Sequence, residues 1–319
     1  LRPPGRAARG APGRGRSMDA FFNVYKPRGP TSHDVVARLR RASSGARGVR
    51  RIGHAGTLDP LAEGVLVVAT GKATRLIEYL VDADKLYGAW VHLGVETDTY
   101  DAEGQVLAER PVEHLTREAV VEALEPFRGE IEQRPPPFSA VSVGGVRLYA
   151  RARRGEMVQA PLRRVSVTRL DLLDWQPPVA HLEVECSKGT YIRSLAHDLG
   201  LALGCGAHLG ALVRLRVGDF RSRESVPLED LEARLREGRW EEVARPPAVA
   251  LAHLPRIILD ERGVDRLRLG QPVPAPEQEL PSSGTLGGAF GPGERLVAVV
   301  RLDRSGDHAV WRPEKVLAG

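Results

Sequence analysis

The chain has 319 residues, of which 46 are basic and 41 acidic, giving a formal net charge of +5, and 42% are hydrophobic. That length and apolar content suffice for one large folded unit and a smaller one, and no apolar run approaches the roughly 18–20 residues of a membrane-spanning helix. Cys186 and Cys205 have neither Cys-x-x-Cys nor zinc-ligand spacing, which excludes a disulfide framework and a structural zinc site and leaves both as small buried residues.

Residues 1–17 are Pro, Gly, Ala and Arg with little else, and such a segment cannot bury enough apolar surface to order itself. It is expected to be a disordered basic tail, or sequence upstream of a start at Met18. No apolar stretch follows its arginines, so a secretory signal is not expected and the protein is placed in the cytoplasm. Setting aside the five arginines of this tail leaves 41 basic against 41 acidic residues, so the body is neutral and an anionic partner must be met by local patches. Arg38, Arg40, Arg41, Arg47, Arg50 and Arg51 crowd one stretch, and Arg147 to Arg169 another, with an acidic run from Glu96 to Glu132 between them.

Phe21 to Tyr25 reads as a strand ended by Lys26-Pro27-Arg28-Gly29-Pro30, after which Thr31 or Ser32 caps a helix over Asp34 to Arg41. Gly64 to Thr70 is a continuous apolar strand, and Lys72 to Val81 has helical spacing. Lys85 to Val95 alternates like a strand, and Leu115 to Phe127 reads as a helix. Gln133 to Arg153, with three prolines and a Gly-Gly pair, is expected as a loop and hairpin hung off the body. Val165 to Trp175 and Val179 to Cys186 are strands, Tyr191 to Leu203 a helix ended by glycines, and Leu228 to Arg236 a short helix. From Pro255 onward short strands and Gly/Pro turns, clearest at Leu296 to Leu302, predict a separate small β-unit.

Gly53 to Gly64, GHAGTLDPLAEG, holds an aspartate between glycine turns, fixed by Pro60, just before the buried strand. Loops at strand ends carry catalytic groups because a rigid scaffold aims them, although an Asx-turn aspartate that only shapes the loop has the same appearance. Rival motifs fail. Gly64 to Thr74 lacks the spacing of a phosphate loop, Gly204 to Gly210 misses the dinucleotide spacing by one residue, and no hydrolase elbow, zinc-protease helix or kinase set is present. A reaction without cofactor fits best.

FNVYKPRGPTSHDVV, RRIGHAGTLDPLAEGVLVVATGKATRL, KLYGAWVHLGVETDTYDAEG and CSKGTYIRSLAHDLGLALGCGAHLGALVR closely resemble, in order and spacing, the signature blocks of TruB-type pseudouridine synthases. The resemblance covers about Phe21 to Pro227 and, more weakly, the tail. It implies an α+β fold: a catalytic domain around a long bent mixed sheet with a central cleft, about residues 18–250, and a small PUA-like β-barrel RNA-binding domain, 251–319. An RNA-gripping insertion is expected at about 133–160, where Phe138 and Ser142 depart from the more usual Tyr and Lys. The implied activity is isomerisation of uridine 55 in the tRNA T-loop, with no cofactor or metal, no guide RNA and a monomeric enzyme.

By the same resemblance Asp59 is the catalytic aspartate, Arg193 pairs with it and Tyr87 lies against the target base. His54, Lys26, Tyr191, Leu212 and Arg214 line the pocket or bind RNA. The chemistry is consistent with these groups: a carboxylate can attack and later leave, and a loop uridine is cheaper to extrude than a duplex one. A non-catalytic RNA-binding protein on the same fold is the alternative, opposed by the intact Asp59, Tyr87 and Arg193. A member of the guide-RNA branch is a second alternative, opposed by the lack of long extra tails.

Overall fold

A computed structural model describes residues 18–44, 51–139, 142–143, 146–147, 160–275, 280–305 and 308–317. The basic tail, Arg47, Arg50, Arg151, Arg153, Arg154 and most of the insertion lie outside these residues. In chain order the first half contains β1 (Ala20–Lys26), α1 (Ser32–Ala42), β2 (Ile52–His54), β3 (Ala62–Thr70), α2 (Ile77–Val81), β4 (Lys85–Leu93), β5 (Val95–Thr97) and β6 (Val106–Glu109). Then come α3 (Arg117–Leu124), β7 (Gly129–Gln133), β8 (Ser142–Val143), β9 (Val146–Arg147), β10 (Arg163–Gln176), β11 (Val179–Cys186), α4 (Ile192–Ala202), β12 (Ala207–Val217), β13 (Phe220–Arg221) and β14 (Val226–Pro227). The last part holds α5 (Leu228–Arg236), β15 (Arg256–Ile258), α6 (Glu261–Arg268), β16 (Val273–Pro274), β17 (Leu286–Gly291), β18 (Arg295–Ser305) and β19 (His308–Val316).

The main sheet has the order β14-β1-β3-β12-β4-β11-β10-β7, with β2 added to β3 and β13 to β12. It is mixed: β12 runs parallel to β3 and β14 to β1, and the remaining pairs are antiparallel. Bulges in β10 and β12 bend it. The apolar run in β3 is continuous because both its faces are covered. Leu66 and Val68 pack with Val35 and Leu39 of α1 and Leu231 of α5, while Val65 and Val67 pack with Phe21, Leu76 and Phe220. β11 alternates buried and half-buried residues, its buried side meeting α3 and α4. This α+β arrangement is the expected one.

Local chemistry moves several boundaries. Thr31 is the N-cap of α1, in a reciprocal capping box with Asp34. Residues 71–76 form a 3₁₀ turn before α2, where Gly71 has φ +57° and the Thr74 hydroxyl donates back to the Gly71 carbonyl. The strand expected over 85–95 breaks at Gly94, whose φ is +88°. Pro126 tightens the end of the expected 115–127 helix into a 3₁₀ turn. Neither β12, at the centre of the sheet, nor β7, at its edge, was anticipated. Both cysteines are buried and free.

The C-terminal sheet, ordered β15-β17-β18-β19-β16, curls into a half-barrel around Val264 and Leu267 of α6, as a PUA-like unit does. Leu251, Val299 and Leu317 share one apolar cluster with Phe21, Val65 and Leu76, so the two sheets bury surface against each other. Lys72 Nζ donates to the Leu317 carbonyl at 3.1 Å across this seam. Among the described residues no helix is long and apolar enough to cross a membrane.

Two stability predictions follow from this packing. Leu251→Ala, at a site 2% exposed, should cost about 2–5 kcal/mol. Urea denaturation should show one transition shifted as a whole, and a second, unshifted transition would contradict the shared cluster. Burial also pushes the Asp198 carboxyl on α4 up to about 6. An acid raised above its unfolded value favours the fold below the unfolded pKa and loses that contribution as pH rises through the folded one. Asp198→Asn should therefore raise Tm at pH 7–8 and change it little at pH 4.

Candidate active site

Asp59 sits in the loop from β2 to β3. Pro60 follows it, and the Ala62 amide donates to the Asp59 carbonyl at 3.1 Å, closing a tight turn. The turn is tethered from two sides. The Gly29 amide donates to the Pro60 carbonyl at 2.8 Å, and the buried Ser32 hydroxyl donates to the Leu58 carbonyl at 3.0 Å while accepting from the Leu58 amide at 2.8 Å. Ser32, read as a possible helix cap, thus clamps the loop to α1. Gly64 has φ +101°, and a Cβ there would lie 2.3 Å from the Arg214 carbonyl oxygen, so only glycine lets β12 approach.

Arg214 is 1% exposed. Its Nε donates to the Val65 carbonyl at 2.7 Å, Nη1 to Thr57 at 3.1 Å and Nη2 to Gly56 at 3.2 Å. Expected among the residues that line the pocket or bind RNA, it has its guanidinium turned inward onto three carbonyls of the loop and β3. Through these bonds it supports the loop that carries Asp59.

Arg193, in the first turn of α4, has an 8% exposed side chain. Nη1 donates to the Thr99 carbonyl at 3.2 Å and to Asp101 Oδ2 at 3.1 Å, and Nη2 donates to the Phe138 carbonyl at 3.0 Å. Nε lies 3.0 Å from Asp59 Oδ2. Its N–H is not directed along that line, so the contact is an ion pair and the Nε proton has no acceptor among the described residues. Asp59 is 41% exposed and faces solvent on its other side. Phe138 contributes a backbone carbonyl, so the departure from tyrosine there leaves this contact intact. Ser142 lies in β8, and its side chain is outside the described set.

Of the other expected residues, Lys26, Tyr87 and Tyr191 lie close enough to Asp59 to feel its charge. Tyr87 on β4 is buried between the sheet and α4, in the cluster of Leu58, Leu61 and Leu212. Burial pushes its phenol up, against the pull of Arg214. Leu212 faces Ala89 across the sheet. Tyr191 precedes α4; burial raises its phenol too, and Asp59 and Arg193 are both near enough to act on it. Lys26 is fully buried, with Nζ donating to the Pro27 and Pro30 carbonyls at 2.8 and 2.7 Å. Desolvation lowers it to about 8, opposed by the charge of Asp59. His54 ends β2; burial, then Arg214, lower its pKa, and its Nδ1 has no partner among the described residues. At neutral pH it is an uncharged ring.

Other residues escaped the sequence reading. Asp101 is 5% exposed, and besides Arg193 it accepts from the Thr99 hydroxyl at 2.6 Å and the Glu103 amide at 3.1 Å. Its one signal was its place in the block TDTYDAEG, where it passed for part of an acidic run. Gln133, on edge strand β7, brackets Tyr191: Nε2 donates to the Tyr191 carbonyl at 3.0 Å and Oε1 accepts from its amide at 2.7 Å. Nothing local marks such a glutamine. The basic patches are partly spent on intramolecular pairs. Arg38 forks onto Glu232, with both bonds at 2.9 Å, and Arg169 pairs with Asp171 and Glu183.

Comparison with known proteins gives one answer. The TruB family pseudouridylate synthase N-terminal domain matches residues 44–192, and the tRNA pseudouridylate synthase B C-terminal domain matches residues 193–260. A tRNA pseudouridine synthase B of Dehalococcoides mccartyi is 42% identical over 94% of this chain and 96% of its own length. One from Symbiobacterium thermophilum is 50% identical over 79% and 82%. Among solved structures, a chain of a Cbf5-Nop10-Gar1 complex superposes with a TM-score of 0.73 at 29% identity, covering 94% of this chain and 85% of that one. A chain of an H/ACA RNP bound to a substrate RNA gives 0.72 at 27% identity, covering 95% and 86%. With both domain profiles matched in tandem and such identity along nearly its whole length, the chain belongs to the TruB family of pseudouridylate synthases.

Proposed function

We propose that this isomerase converts uridine 55 in the T-loop of tRNA to pseudouridine, acting without guide RNA, cofactor or metal, as a cytoplasmic monomer, with Asp59 as the reacting carboxylate. The observation that carries this reading is the half-exposed Asp59 carboxylate paired at 3.0 Å with a buried arginine that is itself anchored by Asp101. The names of the relatives support tRNA as the substrate. The half-barrel, from about residue 251, is assigned to tRNA binding, and the insertion around 133–160 to gripping the T-loop.

The reaction breaks the bond from ribose C1′ to base N1, turns the base over and joins C1′ to C5; the proton lost from C5 is balanced by one gained at N1. No electrons leave the system, so the protein needs a nucleophile or base, a surface for the turning ring and a dry site. Asp59 supplies the first, by attack on the base or ribose or by taking a ribose proton. Tyr87, Tyr191 and Leu212 line the space for the everted ring, an aromatic and apolar surface of the kind that holds an unstacked base. When RNA covers the loop, Asp59 loses its water. Arg193 then supplies the compensating positive charge beside the carboxylate, and its Nε proton can complete a hydrogen bond to it, since catalytic bonds that are loose in the free enzyme tighten in the complex. Lys26 adds a second positive field below, and the neutral His54 fills space beside the pocket without carrying charge.

Incubating the protein with an unmodified tRNA transcript and mapping pseudouridine should place it at position 55; modification elsewhere, or none, refutes the substrate assignment. Asp59→Asn should abolish turnover while tRNA affinity stays within about threefold, because the amide keeps the shape but is a far poorer nucleophile. Retained turnover by this variant would remove Asp59 from the chemistry.

Arg193→Lys should lower kcat strongly with little change in tRNA affinity, because an ammonium cannot reach Asp59, Asp101 and two carbonyls together. Arg193→Ala should also destabilise the fold by about 3–5 kcal/mol, because it strands the buried Asp101 carboxylate. A drop in affinity and in its salt dependence, with single-turnover chemistry intact, would show that Arg193 grips phosphate instead.

A further inference from the structure

We propose that Tyr100 and His197 form a positioning device behind the ion pair, their stacked rings pinning the turn at residues 97–104 so that Thr99 and Asp101 hold Arg193 against Asp59. It presupposes the chemistry proposed for Asp59 and assigns a task to two residues that do not touch the reacting atoms.

The first observation is strain. Tyr100 has φ +63°, in the left-handed region, which costs a residue with a Cβ about 1–2 kcal/mol and is more cheaply filled by glycine or asparagine. A bulky residue persists there only where its surroundings over-determine it. The second observation is what does so. The Tyr100 ring lies on the His197 ring with centroids 3.8 Å apart and planes 6° from parallel. His197 is one turn after Arg193 on α4, so both project from the same face of that helix. The helix therefore meets the turn at two points, through the Arg193 fork and through this stack.

The third observation is location. Tyr100 stands between the two residues that hold Arg193 Nη1, the carbonyl of Thr99 and the carboxylate of Asp101. Its own carbonyl accepts from the Leu209 amide at 3.0 Å, and the Ala102 amide donates back to the Leu209 carbonyl at 3.0 Å, which fixes the turn to β12. A left-handed residue at this point reverses the chain so that both groups face one guanidinium. The imidazole serves as a flat surface: His197 is 9% exposed, its Nδ1 has no partner among the described residues and burial favours its neutral form. Without the stack, the turn is free to relax away from the strained conformation, and Arg193 loses its fixed angle toward Asp59.

The test is single-turnover pseudouridine formation at saturating tRNA transcript, with tRNA affinity and Tm measured on the same full-length variants. Tyr100→Gly removes the backbone strain together with the ring, so a purely structural role predicts an undiminished rate. The positioning role predicts a fall of about 10- to 100-fold at unchanged affinity, the scale expected for a displacement near 1 Å at a reacting group. His197→Leu should fall likewise, whereas Tyr100→Phe and His197→Phe, which keep the stack, should recover the rate. A wild-type rate for both Tyr100→Gly and His197→Leu overturns the device. So does a loss confined to tRNA affinity, which would make Tyr100 an RNA contact. Those results leave the proposed function standing provided wild type is active and Asp59→Asn is not; inactive wild type, or active Asp59→Asn, removes both.

Discussion

One guanidinium organises the centre of this protein. The side chain of Arg193 is almost wholly removed from water, and a charge so placed is tolerated only when it is paired and hydrogen-bonded. Its partners come from the aspartate loop, the turn after β5 and the segment after β7, all distant in sequence from the helix that carries it. Each is held in place by the need to satisfy the same cation. The geometry of the candidate site is thus a by-product of a solvation requirement: the fold must bring these carbonyls and carboxylates together, and in doing so it fixes the angle at which Arg193 meets Asp59.

A second buried guanidinium repeats the logic from below. Arg214 binds the Gly56, Thr57 and Val65 carbonyls, which the glycine-rich loop leaves without regular partners. Gly64 permits this by having no Cβ where β12 crosses β3. The loop can therefore be irregular and still held from below, while Asp59 keeps 41% of its side chain open to solvent. Support on one side and exposure on the other suit the role proposed for this carboxylate, which needs a preorganised setting.

The division of labour between the sheets follows from their packing. The mixed sheet supplies β3, β4 and β12, whose neighbouring ends frame the site. The half-barrel is fastened to it by a shared apolar cluster and by Lys72 and Arg75, which donate to the Leu317 and Val316 carbonyls. A tRNA bound by the second unit would then meet the first in a fixed register.

How far the sequence reached can be judged residue by residue. The β3 run, the α1 cap and the α4 helix were legible because each is written locally, as apolar continuity, a Thr-x-x-Asp box or amphipathic spacing. Asp59 and Arg193 were marked by resemblance, which carries long-range information that periodicity lacks. β12 was not legible. Gly204, Gly206 and Gly210 read as the end of the helix, and the segment becomes a central strand only because β3 and β4 lie on either side to pair with it. The inward turn of Arg214 was hidden for the same reason: the carbonyls it binds, Gly56, Thr57 and Val65, lie about 150 residues away along the chain.

By itself, then, the sequence determined that an α+β core would form, that a second small β-unit would follow, and which family's chemistry the aspartate loop belongs to. Those features depend on neighbours along the chain or on whole motifs. Tertiary structure alone decided that Asp101 anchors Arg193, that Gln133 fixes the start of α4, that Arg214 is a prop and that Tyr100 is strained against His197. Each joins residues from separate elements, or fixes a backbone angle that a distant contact must maintain. A hydrogen bond between residues about 60 or 90 positions apart leaves no periodic trace in the chain, because what selects it is the free energy of burying a polar group, and burial is settled only when the elements pack.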